Sequence, residues 1–263
     1  MKREYEVELN IANNSKVING RGVSPVISTI IITASLLIIL ITAFFFATNM
    51  LGIQIQSSEF EQAKTAMRLL DKTIMDVSLR PGAVSSVQFN QGSGGIGVYG
   101  GDQINIVILR DSEVIWNKTI TSYVIKYRGG SLTPATQMDL TNPGGLILRD
   151  PSKPLGYVRV EIGDGAWIVL DYNRVLVVEN ESLKIIEARM ICLTQGRFGG
   201  SGTVTVRVQN MGAHFLFSGN LNGNITLQVQ VGDKPPATEA FSLGENMYNV
   251  RVIATFIEVS IIL

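Results

Sequence analysis

Three hydrophobic rhythms follow one another along the chain. From Gly22 to Ser58 no residue is charged; Arg21 precedes this window and Glu59 ends it. Within it, the 29 residues from Val23 to Leu51 form an apolar run interrupted only by uncharged Ser, Thr and Asn. Wound as a helix they reach about 44 Å, against a bilayer hydrocarbon core of about 30 Å. A secretory signal has a shorter apolar core, about 7–15 residues, and ends at small residues. Here the run closes on Phe45-Phe46-Ala47-Thr48, bulky where small side chains are wanted. The sequence therefore predicts a retained, membrane-spanning helix.

Past Gly52 the second rhythm begins. Phe60, Ala63, Met67, Leu70, Ile74 and Val77 recur at steps of three and four, the stripe of an amphipathic helix. Glu59, Glu61, Lys64, Arg68, Asp71, Lys72 and Asp76 are expected off that stripe. Ser24 can cap the helix start, and Pro25 suits the first helical position, where its missing N–H costs nothing. Pro81-Gly82 ends it. The prediction is one helix from Ser24 to about Leu79, with Gly52 the point at which it can flex. Its first half is apolar all round, its second half one-sided, and the natural partner of that second half is the domain that follows.

The third rhythm is alternation. Runs at 84–89, 103–109, 123–127, 157–162, 167–170, 175–178, 185–193, 203–209, 225–231 and 250–262 carry strand patterns, as in Val204-Thr205-Val206-Arg207-Val208. Turns rich in Gly or Pro separate them, at 91–101, 128–133, 141–145, 150–154, 196–202 and 232–236. The expected fold class is α+β: a long N-terminal hydrophobic and amphipathic helix, about 24–79, then an all-β, antiparallel sandwich-like domain. The expected division is a leader at 1–22, the helix at 23–79 and the β domain at 80–263.

Composition narrows the chemistry. Lys+Arg and Asp+Glu are both 22, so no basic excess exists to neutralise the phosphates of a nucleic acid. Cys192 is the one cysteine and sits among apolar residues, as a buried strand thiol would; His214 is the one histidine and has no second imidazole with which to share a zinc. The run Gly92-Ser93-Gly94-Gly95-Ile96-Gly97 lacks the Gly-Lys-Ser/Thr of a phosphate loop and lies between strands. Asp164-Gly165 and Asp233-Lys234 have the chemistry of turns, and Trp116 and Trp167 suit a core as well as a sugar platform. No catalytic, cofactor-binding or metal-ligating residue is expected, and an ectoenzyme would have only carboxylate chemistry to draw on.

Directly before the apolar run stands Arg21-Gly22-Val23-Ser24-Pro25-Val26-Ile27. A charge, a small residue, Ser-Pro and an unbroken apolar helix, in that order, resemble the N-terminus of archaeal type IV pilins, with their class III signal peptide. The resemblance covers about 30 residues. It implies cleavage by a prepilin peptidase between Gly22 and Val23, with Arg21 supplying the charge and the helix kept on the mature protein. Bacterial type IV pilins usually have Glu as the fifth mature residue, where this chain has Ile27, and the glycine-rich start of archaellins is absent; both features suit the archaeal pilin branch. The leader has four Lys/Arg against three Glu, and Lys16 and Arg21 beside the helix favour a cytoplasmic leader and an outer β domain.

Three N-glycosylation patterns fall on that outer side, at Asn117, Asn180 and Asn224, and a fourth, Asn13-Asn14-Ser15, falls in the leader. The expected function is that of a structural subunit, minor or adhesive, of an archaeal pilus-like filament. Its implied partners are membrane lipid before assembly, copies of itself or other pilins through the helix, prepilin peptidase and the assembly machinery. Two alternatives from other classes stay open: an uncleaved single-pass binding protein of the cell surface, and an ectoenzyme.

Overall fold

The computed structural model describes residues 25–141, 144–199 and 202–263. Helix α1 (Pro25–Ser78) precedes the strands. In chain order these are β1 (Val84–Gln91), β2 (Gly95–Arg110), β3 (Glu113–Arg128), β4 (Met138–Asp139), β5 (Ile147–Leu148), β6 (Tyr157–Ile162) and β7 (Ala166–Asp171). They continue with β8 (Val175–Asn180), β9 (Ile185–Phe198), β10 (Gly202–Leu221), β11 (Asn224–Val231), β12 (Ala237–Ser242) and β13 (Tyr248–Ile262). The α+β class expected from the sequence is the class found. The chain divides into two compact units, one through Met50 and one comprising Leu51–Leu263. The assignment of α1 runs unbroken through Gly52.

In the second unit the strands form two sheets, in the orders β1-β10-β13-β9-β8-β5 and β12-β11-β2-β3-β7-β6-β4. The plan is antiparallel except for two pairs, β13 with β9 and β5 with β8. Alternation places the strands' faces: in β10 Val204, Val206 and Val208 are buried while Arg207 between them is exposed. Several stretches depart from the local reading: β9 continues to Phe198 and β10 to Leu221, beyond the runs expected at 185–193 and 203–209. The glycine-rich segment at 91–101 is a turn only near 92–94; β2 starts at Gly95 and buries Ile96 and Val98. The first half of β3 is also a strand, joined to β2 by a tight turn in which Asp111 and Ser112 both take positive φ (48° and 72°), the geometry that suits a right-twisted hairpin.

The longest strands serve two cores. Near their proximal ends β2, β9, β10 and β13 contribute to a core that also holds the buried stripe of α1. Farther along, β2, β9 and β13 meet β8, β11 and β12 around Ile106, Cys192, Val229 and Val252 in a core that holds no helical residue. Cys192 is wholly buried, and burial pushes its thiol up to about 12, which leaves it protonated and inert.

Candidate functional site: an uncovered half and a seated half of one helix

Composition divides α1, and so does exposure. Among the described residues of its first half, every large apolar side chain from Val26 to Leu51 is at least half exposed. Three threonine hydroxyls there turn inward to the helix itself: Thr33 Oγ1 donates to the Thr29 carbonyl (2.7 Å), Thr42 to Ile38 (2.8 Å) and Thr48 to Phe45 (2.9 Å). These three hydroxyls are satisfied within the helix, as the hydroxyls of a lipid-facing segment must be. This helix is long and apolar enough to cross a membrane.

The second half is seated in the β domain. Phe60, Ala63, Met67, Leu70, Ile74 and Val77 are all 5% exposed or less, so the whole predicted stripe is core. At about 1.5–3 kcal/mol for each of the larger side chains, this face contributes on the order of 10 kcal/mol of gross burial, an upper bound for folding.

Polar contacts set the register of that seat. Gln56 Oε1 accepts from the Leu132 N–H (2.7 Å), and Glu59 Oε2 accepts from the Ser93 N–H (2.9 Å) and from the Ser93 hydroxyl. At the buried end Tyr172 donates its hydroxyl to Asp71 Oδ1 (2.6 Å). Asn210 Nδ2 donates to the carbonyls of Val77 (3.0 Å) and Ser78 (3.1 Å) at the helix end, where the Val77 carbonyl also accepts from the Arg80 N–H (3.2 Å). Asn210 lies at a bulge of β10, and its Oδ1 accepts from the Gly212 N–H (2.8 Å).

Three glycines admit these side chains. A Cβ at Gly92 would overlap Glu59 Oε1, one at Gly130 would press on Gln56 Oε1, and one at Gly156 would overlap Asp71 Oδ1. The sequence marks Gly92 and Gly130 as turn residues only; the fold uses them for close approach.

Asp71 corrects the expectation that placed it off the stripe. It is 5% exposed, four residues after Met67 and three before Ile74, and therefore on the buried face. Burial raises its pKa, an effect opposed by the Tyr172 hydrogen bond and by the charges of Arg174 and Lys72. Burial likewise raises the Tyr172 phenol well above its ordinary value, with Asp71 adding to the shift. The spacing to Met67 and Ile74 was a usable signal for Asp71. Tyr172, Asn210 and Gly156 left none, since their roles depend on neighbours far away in sequence.

Of the residues singled out from the sequence, Arg21, Gly22, Val23 and Ser24 lie outside the described residues, and Pro25 opens α1. Asn13 is also outside them. Asn117, Asn180 and Asn224 are all exposed, on β3, at the end of β8 and at the start of β11. They differ in freedom. Asn180 Oδ1 accepts from the Leu183 N–H (3.0 Å), and Asn224 is held by Asp111 (3.3 Å) and Ser242 (3.1 Å), whereas Asn117 makes no side-chain hydrogen bond to any described residue. His214 is exposed with its ring against Phe256, and Trp116 packs against Phe217. Among the described residues no group of three His, Cys, Asp or Glu could hold a metal.

Comparison of the chain with protein-family models, with curated proteins and with solved structures finds no match.

Proposed function

We propose that the chain is a structural subunit, minor or adhesive, of an archaeal type IV pilus-like surface filament, and that it works without catalysis. The observation that carries the proposal is the division within α1. A helix whose distal turns are locked into a β domain while its first 26 described residues carry no charge and expose large apolar side chains has the form of an anchor in lipid that can exchange lipid for copies of itself. The tract from Arg21 to Ile27 supplies the processing half of the reading. Prepilin peptidase cuts after Gly22, Val23 becomes the N-terminus, and the β domain faces outward as the filament's exposed part.

Intact-mass measurement of the protein from its native membrane tests this directly. A mature chain starting at Val23, and an uncut chain when Gly22 is replaced by Phe, are the expected results. A wild-type chain that keeps its leader would make the protein a permanently anchored surface binding protein instead. Electron microscopy of sheared cell-surface filaments, labelled with an antibody to the β domain, tests assembly.

A further inference from the structure

The three N-glycosylation patterns of the β domain are equivalent in sequence and unlike in the fold. Glycan transfer asks three things of its acceptor: an Asn carboxamide free to react, a Ser or Thr hydroxyl two residues on, and backbone that an enzyme can close around. Asn224-Ile225-Thr226 offers none of them freely. Asn224 Nδ2, the atom that would be modified, donates to Asp111 Oδ1 (3.3 Å), and Asn224 Oδ1 accepts from the Ser242 hydroxyl (3.1 Å). Ile225 is buried, and β11 is paired on both sides, with β12 and with β2. Reaching that tripeptide means unzipping the interior of a sheet. Asn180-Glu181-Ser182 turns the corner from β8 to β9. The Leu183 N–H donates to Asn180 Oδ1 (3.0 Å) and the Lys184 N–H to the Glu181 carbonyl (3.3 Å), so the carboxamide is part of what closes the turn.

Asn117-Lys118-Thr119 differs on each count. All three residues are exposed, and Asn117 makes no side-chain hydrogen bond to any described residue. Side chains two apart on a strand share a face, so the Asn117 carboxamide and the Thr119 hydroxyl meet solvent together. The Thr119 hydroxyl lies 3.5 Å from Asn105 Oδ1, too far to be held there. The backbone is open along one side as well. β3 pairs with β2 through this stretch, whereas β7 joins its other edge only from Ile125 to Arg128. From Glu113 to Thr121 that edge has no strand partner among the described residues.

We propose that Asn117 is the glycosylated residue of this protein and that Asn180 and Asn224 stay bare. The donor is a lipid-phosphate-linked oligosaccharide. Its anomeric carbon bonds to Asn117 Nδ2 as the bond from that carbon to the phosphate oxygen breaks. The lipid phosphate leaves with the electron pair, and the amide nitrogen gives one proton to a base of the transferase. The product carries a hydrophilic chain beside unpaired strand backbone, where a sheet otherwise invites pairing with another chain. The inference rests on the outward-facing β domain of the filament reading and does not need polymerisation.

The test takes the protein from its native membrane, digests it and sequences the peptides by electron-transfer mass spectrometry. An oligosaccharide mass on Asn117, with Asn180 and Asn224 bare, is the expected result. Asn117→Gln and Thr119→Ala are each expected to remove the whole increment at an unchanged melting temperature, and Thr119→Ser to keep it. Protease treatment of intact cells reports in parallel which side the β domain faces. A bare Asn117 on a domain cleaved from outside overturns the assignment and leaves the outward topology standing; a bare Asn117 on a domain protected from outside overturns both. An increment found on Asn180 or Asn224, or one that survives Thr119→Ala, also overturns the assignment.

Discussion

The two halves of α1 share one backbone geometry and differ in what covers them. From Val26 to Leu51 the described side chains are exposed on every side; from Phe60 to Val77 one face is sealed into a protein core and fastened by Gln56, Glu59, Asp71 and the Asn210 cap. The difference teaches that a single helix can carry two solvents' worth of design. The first half carries exposed apolar side chains on all sides and no charge, the composition a lipid-facing helix requires. The second is striped because only one side meets the domain.

That contrast can be broken most strongly at the seat. Leu70→Ala should cost about 2–5 kcal/mol in unfolding of the β domain, since it empties a fully buried position. Its neighbour Leu69, 53% exposed, should tolerate the same change within about 0.5 kcal/mol. Chemical denaturation in micelles compares the two, and equal losses would deny the one-sided seat.

The mirror experiment acts on the first half. Leu37→Arg, near the middle of the apolar run, should cost about 3 kcal/mol on membrane insertion and reduce the membrane-bound fraction, while leaving the β domain's melting unchanged. Normal recovery of the variant in the membrane would show that this half does not span lipid.

A smaller effect sharpens the polar side of the seat. Tyr172→Phe removes the hydroxyl that Asp71 accepts and should destabilise by about 1–3 kcal/mol.

The smallest effect depends on pH. Burial holds the Asp71 pKa above its unfolded value, so the group adds stability below the unfolded pKa and loses it as pH climbs through the folded value. Asp71→Asn removes that titration. The variant should therefore melt above the wild type at pH 7, and the gap should close as pH falls toward about 4. A gap that widens on acidification would mean that Asp71 is stabilised as the anion.

Much of this organisation is legible in local pattern. The three-and-four spacing from Phe60 to Val77 predicted six positions that are all core, and alternation placed β6 at 157–162, the bounds observed. Short edge pieces escaped: β4 and β5 are two residues each, too brief to show a period, and β12, Ala-Thr-Glu-Ala-Phe-Ser, carries little β-branched or aromatic weight. The first half of β3 was hidden because Asn117, Lys118 and Thr119 interrupt its apolar rhythm where the sheet edge is open to solvent.

By itself, then, the sequence determined the apolar run, its contrast with the striped half, and the strand-rich texture after Pro81, because each is a periodicity between near neighbours. Tertiary structure alone decided the sheet order, the parallel pairing of β13 with β9, and the meeting of Tyr172 with Asp71 across 101 residues. These depend on which distant segments come into contact, and no spacing within a single segment records that choice.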